Sequence, residues 1–329
     1  MITLKAEKEI IEKYLTEISF LSSDEKVQNV EKPGEGNMNF TLRVITNSRT
    51  FILKQSRDYV EKYPQVAAPG QRVLREAEFY QIVKNNEGLN SKTPDILKVD
   101  EENHIMLMED LGESSDYTFL YKEGKVISES ELKEIIYFMA DLHTSFTIEN
   151  VQEPIHNKDM RALNHEHIFK FPYEENNGIN LEDILPGLAT VGRKVKLDAE
   201  LKAAVSELGD KYLADGKHLL HGDYFPGSWL KTTSGLKIID PEFCYFGIPE
   251  FEIGVCLAHL YMAEQPHNFI KMAMDLYKEK APFDDIVMMK YMSVEILRRI
   301  LGLAQLPLSL SLQKREALVE RAAMIITKY

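Results

Sequence analysis

The residues best suited to chemistry are His221-Gly222-Asp223-Tyr224-Phe225-Pro226-Gly227-Ser228 and, beyond a short strand-like stretch, Ile238-Ile239-Asp240-Pro241-Glu242. Phosphoryl transfer needs one carboxylate to accept the proton of the attacking hydroxyl, and others to hold the divalent ions that neutralise nucleotide phosphates. In catalytic loops of that kind a base Asp precedes a metal ligand by five residues, and a metal-binding Asp follows beyond a hairpin. Asp223, Ser228 and Asp240 keep that order and interval. Taken singly, Gly-Asp and Asp-Pro are turn formers. Taken together, two acid-bearing turns joined by a hairpin are expected to lie side by side, so that three carboxylates converge.

A second group lies upstream in the order that such chemistry requires: Gly34-Glu35-Gly36-Asn37-Met38-Asn39-Phe40, then Lys54 at the end of a strand, then Arg75-Glu76 on a helix. In this arrangement the backbone N–H groups of the glycine turn cover phosphates, Lys54 holds α- and β-phosphate oxygens, and Glu76 fixes Lys54. Glu78 is the other candidate partner for the lysine. The turn departs from the full G-x-G-x-x-G by carrying Asn39 in the third place. By position, Met106-Leu107-Met108-Glu109-Asp110-Leu111 is where an adenine-binding hinge belongs, with Met108, Glu109 and Leu111 as its contact residues.

The elements that must position these groups can be read from periodicity. Ile10, Ile11, Tyr14, Leu15 and Ile18 give a helix within Lys5 to Leu21. Residues 39–46 alternate, Asn47-Ser48-Arg49 supplies a turn, and Thr50 to Lys54 forms the second arm of a hairpin. Residues 72–84 return to helical spacing, and strands follow at Ile96–Val99 and His104–Met108. After Gly112 the pattern is mostly helical, starting with a capping box at Ser128 and Glu131. The expected fold class is α+β and bilobal: residues 1–111 as a small antiparallel-sheet lobe, residues 112–329 as a larger, mainly helical lobe, with the cleft between them. A helix from Asp284 to Gln305 carries Arg298 and Arg299, adjacent residues about 100° apart around its axis.

Composition narrows the partners. The chain has 329 residues, and 39 Lys and Arg against 52 Asp and Glu leave a net charge of −13. A field of that sign repels nucleic acid and anionic lipid, so the expected partner is a small molecule. The charged start and the lack of a long apolar run predict no signal peptide and no membrane span, and hence a cytoplasmic protein. Cys244 and Cys256 are too few for a disulfide scaffold and read as buried fillers.

Through His221-Gly222-Asp223, Asp240, Lys54 and Ala140-Asp141-Leu142-His143, the chain resembles the aminoglycoside phosphotransferase and choline kinase superfamily, which has a protein-kinase-like fold. Within it, the resemblance is to the 5-methylthioribose kinases, through the glycine turn, Met108-Glu109-Asp110-Leu111, Gly227-Ser228, Asp240-Pro241-Glu242-Phe243 and Ile296-Leu297-Arg298-Arg299. It implies ATP and Mg2+ as cofactors, Asp223 as catalytic base, and Asp240, Glu242 and Ser228 as metal ligands. It further implies Arg298 and Arg299 as contacts to the sugar or the transferred phosphoryl group, a homodimer, and phosphorylation of the anomeric hydroxyl of 5-methylthioribose. A phosphotransferase for a cationic acceptor and a catalytically silent nucleotide-binding protein are the alternatives. Two departures stand out: Glu252 replaces the usual Asp, and the stretch from Tyr59 to Arg72 lacks the family's Trp.

Overall fold

The computed structural model describes residues 2–34, 36 and 38–329. The chain forms two compact units. Unit 1 comprises residues 1–114 together with Lys237–Glu242, and unit 2 comprises residues 115–236 and 243–329.

Unit 1 runs α1 (Lys8–Glu17), β1 (Val27–Glu31), β2 (Phe40–Thr46), β3 (Thr50–Gln55), β4 (Tyr59–Val60), β5 (Tyr63–Ala67), α2 (Arg72–Val83), α3 (Glu87–Asn90), β6 (Ile96–Asp100) and β7 (Ile105–Glu109). Five strands form an antiparallel sheet in the order β1-β2-β3-β7-β6. Leu42, Val44, Phe51, Leu53, Ile105 and Leu107 share one face and pack with Ile11 and Leu15 of α1. Side chains alternate along a strand, so Lys54 points to the opposite face from Leu53, toward α2. There the helix buries Val73, Ala77, Phe79, Tyr80 and, among them, Glu76. The segment Lys237–Glu242 joins this unit through Ile238, whose N–H donates to the Lys92 carbonyl at 2.8 Å.

Besides the four-residue α3, β1 and the β4–β5 hairpin carry no periodicity that predicts them. β1 escapes the alternation rule because only Val27 and Val30 of its five residues turn inward. The stretch after Lys54 forms the β4–β5 hairpin, in register from Tyr59 opposite Ala67.

In unit 2, β8 (Ser114–Asp116) leads into a 3₁₀ turn at Tyr117–Tyr121 and then α4 (Glu129–Ser145), α5 (Lys158–His165), a π turn at Glu166–Lys170, α6 (Leu181–Ile184), α7 (Leu188–Leu197) and α8 (Ala199–Leu213). Short strands follow, β9 (His218–Leu220), β10 (Trp229–Thr232), β11 (Gly235–Ile238) and β12 (Tyr245–Gly247), and then α9 (Pro249–Met262), α10 (His267–Lys278), α11 (Asp285–Leu301) and α12 (Leu312–Lys328). α4 opens with the expected capping box, Ser128 and Glu131 each bonding the other's backbone N–H. α11 is capped by Asp284, whose Oδ1 accepts from Ile286 and Val287 at 2.8 and 3.1 Å, and it ends at Leu301, four residues short of the expected Gln305.

α9 and α11 lie unusually close because Gly254 has no side chain. A Cβ there would sit 2.7 Å from the Met292 nitrogen and 2.9 Å from the Met288 oxygen. That approach matters for what the two helices hold, described next. Both cysteines are buried, as expected of fillers. Among the described residues no helix is long and apolar enough to cross a membrane.

Candidate active site

In unit 1 the centre is Lys54. Its Nζ lies 2.6 Å from Glu76 Oε2 and 2.5 Å from Asp240 Oδ1. Glu78 pairs instead with Arg75 at 2.6 Å, a local contact one turn along α2, which settles the choice between the two glutamates. Burial works against the charge on Lys54, but Asp240, Glu76 and Glu242 outweigh it and raise the ammonium pKa. Burial, reinforced by Asp240 and Glu242, leaves Glu76 raised to about 8 despite the pull of Lys54. Asp240 takes a left-handed backbone, φ 63°, which few residues other than glycine adopt.

Glu242 is buried two residues on. It accepts from Asn39 Nδ2 at 2.9 Å and faces Arg72 Nε at 3.4 Å, and burial raises its pKa. Asn39 therefore spends its amide on the carboxylate. Arg72, which sequence reading passed over, donates to the carbonyls of Arg57, Pro69, Met38 and Tyr59. No local pattern marks it, because most of those carbonyls, like Glu242, belong to segments distant in sequence. Among the described residues no group of three or more His, Cys, Asp and Glu side chains is arranged to hold a metal ion.

The glycine turn and the hinge are also in unit 1. A Cβ on Gly34 or Gly36 would meet nothing within 4 Å; Asn37 lies outside the described residues. Met108 sits inside the ladder, opposite Ile52 and Ile96. Glu109 reaches back to accept from the Asp95 N–H at 3.1 Å, and Asp110 takes a two-bond fork from Arg43 at 2.8 and 2.9 Å. Leu111 is the first hinge residue past these ties.

In unit 2, Asp223 is held by its backbone and by its carboxylate. Gly222, at φ 87°, gives the sharp turn before it, and a Cβ there would strike the Phe243 carbonyl. Glu252 of α9 accepts from the His221 N–H at 3.2 Å and the Gly222 N–H at 2.7 Å, and also meets His143 Nε2 at 2.8 Å. This is the work of the glutamate that stands where Asp is usual. Ser228 donates its hydroxyl to the Asp223 carbonyl at 2.8 Å, closing the loop on itself.

The carboxylate of Asp223 meets Arg299 Nη2 at 3.3 Å. Arg298 and Arg299, which a helix surface would ordinarily leave solvated, are buried at 7% and 5% exposure. Both return to Glu295 on their own helix, Arg299 Nε at 2.5 Å and Arg298 Nη1 at 3.1 Å. His259 of α9 approaches the same carboxylate at 3.1 Å, and Tyr121 approaches the other side of that ring at 2.6 Å. Burial holds His259 down, to about 4, so it is neutral. Burial opposes ionisation of Glu295, but the two arginines overcome it and hold its pKa well below the usual range. Glu295 was missed, although its place three and four residues before two arginines is a helix-pairing signal. His259 and Tyr121 carried no such signal.

Residues 29–285 match the phosphotransferase enzyme family. A methylthioribose kinase of Exiguobacterium sibiricum is 27% identical over 252 residues, covering 72% of this chain and 61% of that protein. Methylthioribose kinase 1 of Oryza sativa subsp. japonica is 25% identical over 250 residues, covering 71% and 56%. The chain thus spans less than two thirds of the length of these relatives. Among solved structures, LicA, a choline kinase from Streptococcus pneumoniae, in complex with AMP, shares the fold at a TM-score of 0.57 and 15% identity, covering 98% of each chain. The small antiparallel-sheet unit and the helical unit are those of a protein-kinase-like fold, and with the family match running through Lys54, Asp223 and Asp240, the chain belongs to the phosphotransferase enzyme family.

Proposed function

We propose that this chain is an ATP- and magnesium-dependent kinase that transfers the γ-phosphoryl group to a hydroxyl of a small molecule, 5-methylthioribose at its anomeric position. The observation that carries the reading is Lys54, buried, paired with Glu76, and closed on an Asp240 held in a left-handed conformation. With Lys54 and Arg72 charged against Glu76, Asp240 and Glu242 all ionised, this cluster is one positive charge short, a deficit that a proton on Glu76 meets below about pH 8. A divalent cation fits that deficit. Magnesium typically keeps one or two protein carboxylates and takes its remaining ligands from phosphates and water, so a half-exposed Asp240 with Glu242 nearby suits it without a protein cage.

The residues divide the work as follows. Lys54 binds phosphate oxygens and exchanges part of its hold on Asp240 for them. Glycine at 34 and 36 stands in open space, where a Cβ would meet nothing within 4 Å, and lets phosphate approach the backbone closely, a role shared with Asn37. Met108, Glu109 and Leu111 line the adenine end. Asp240 and Glu242 hold magnesium, which supplies charge neutralisation on the phosphates, and Ser228 keeps its lone pairs for the same role. Asp223 accepts the acceptor's hydroxyl proton as the new O–P bond forms and the bond to the departing ADP breaks. Arg299, already beside Asp223, meets the acceptor or the transferred group, with Arg298 behind it. The similarity to methylthioribose kinases supports the acceptor.

The test is a coupled ADP-release assay with Mg-ATP and a panel of 5-methylthioribose, 5-deoxyribose, ribose, choline, homoserine and kanamycin, with Asp223→Asn as control. Turnover on 5-methylthioribose, lost in the control, is expected. Turnover confined to choline or kanamycin would move the acceptor to the cationic class. ATP binding with no turnover on any acceptor would sink the kinase reading.

A further inference from the structure

Glu295 is gripped by three side chains and is itself 1% exposed. Arg298 Nη1 lies 3.3 and 3.1 Å from its two oxygens, Arg299 Nε lies 2.5 Å from Oε1, and His259 Nε2 lies 3.1 Å from Oε1. Tyr121 and His259 brace it from the far side, at 2.6 Å from hydroxyl to ring nitrogen. The close α9–α11 approach at Gly254 keeps His259 in reach.

Arg299 serves two carboxylates unequally. Its Nε is tight on Glu295, whereas its Nη2 stands 3.3 Å from a single oxygen of Asp223, with the guanidinium lying 4.8 Å over the Phe225 ring. An arginine left to one carboxylate closes to about 2.7–2.9 Å, often through two parallel bonds. The long single contact on Asp223 is therefore a restrained one, and Glu295 supplies the restraint.

We infer that Glu295 is a positioning residue for Asp223. By drawing Arg299 onto itself it keeps the guanidinium at one oxygen of Asp223 and prevents the two-bond fork that would occupy both, so the second oxygen stays available to the acceptor hydroxyl. Because Tyr121 and His259 brace Glu295, it does not follow Arg299 toward the loop. Arg298 completes the balance as a second counterion and passes on to Asn164 Oδ1 at 3.3 Å, away from Asp223. This inference rests on the phosphotransferase reading above.

The experiment has a kinetic arm and a structural arm. Glu295→Gln is expected to lower kcat about 10- to 100-fold, the scale of a small misplacement at a reacting group, with KM for ATP unchanged. The double variant Glu295→Gln/Arg299→Met should turn over no more slowly than Arg299→Met alone, because Glu295 acts only through Arg299. A double-variant loss equal to the product of the single losses, or an unchanged kcat in Glu295→Gln, overturns the inference. The structural arm needs no turnover. A crystal structure of Glu295→Gln should show Arg299 closed on both oxygens of Asp223, and an undisturbed single contact would refute the idea. Emission from Trp229, the sole tryptophan, checks folding. If Glu295→Gln does not fold, Glu295→Asp, which keeps the charge but shortens the reach, carries the same structural readout. A wild-type protein without turnover on any acceptor would sink the proposed function while leaving the structural arm to decide the inference.

Discussion

The two units each bury an ion cluster, and the clusters are balanced in opposite ways. In unit 1, two cations, Lys54 and Arg72, face three carboxylates, Glu76, Asp240 and Glu242. In unit 2, two cations, Arg298 and Arg299, face two carboxylates, Glu295 and Asp223, with His259 neutral. The surplus anion shows in raised pKa values at Glu76 and Glu242, where burial dominates. The balanced cluster shows a Glu295 held far below the ordinary range by its arginines, in spite of equal burial. One cluster is poised to take up positive charge, and the other is complete and serves to hold geometry.

The sharpest break of the comparison is at Asp223, the acid of the second cluster proposed above as the general base. Asp223→Asn should lower turnover by about 10²–10⁴-fold, the usual worth of a general base, while calorimetric ATP binding persists. Glu295→Gln comes next. It leaves one buried guanidinium charge without a carboxylate, since Asp223 answers only one of the two arginines, and arginine does not shed its proton, so a loss of about 3–5 kcal/mol is expected, read as a drop in the urea midpoint reported by Trp229.

Glu76→Gln makes the contrast. It brings the first cluster to neutrality and leaves Lys54 its Asp240, so a cost of about 1 kcal/mol, the net worth of a hydrogen bond, is expected. Equal destabilisation by the two variants would dismiss the difference between the clusters.

The smallest effect is in pH dependence, and its sign should differ between units. Glu76 binds its proton more tightly folded than unfolded, so its contribution is present at low pH and is lost as pH rises from the ordinary carboxylate range through about 8. His259 binds its proton less tightly folded, so its contribution is present above 6.5 and is lost as pH falls toward about 4. Amide exchange in α2 should therefore slow between pH 8 and 6, after correction for intrinsic rates, while exchange in α11 quickens. A shift of the same sign in both helices would remove the distinction.

Much of this was readable from the chain alone because it rests on local pattern. The hairpin of β2 and β3, the helix carrying Glu76 and the capping box of α4 follow from period and turn chemistry, and Lys54 with Glu76 follows from its place between them. What was not readable depends on distant backbone. Arg72 looks like any charge at a helix start until four backbone carbonyls converge on it. His259 sits in an apolar helix, and its ring finds its partners in distant segments, Glu295 of α11 and Tyr121. Arg298 and Arg299 lie beyond the matched stretch of the family, which ends at residue 285, and the acid that organises them stands inside the same helix turn.

The six residues Lys237–Glu242 belong to unit 1 although they follow its first 114 residues by more than a hundred positions. On a ribosome adding about 5–20 residues each second, Lys54 and Glu76 emerge on the order of ten seconds before Asp240. During that interval the nascent unit has its lysine and glutamate but neither acid of the Asp240-Pro241-Glu242 turn, and Arg72 waits for Glu242. The first unit is thus finished only when most of the second has been made, which ties the two halves of the chain together in the order of their biosynthesis.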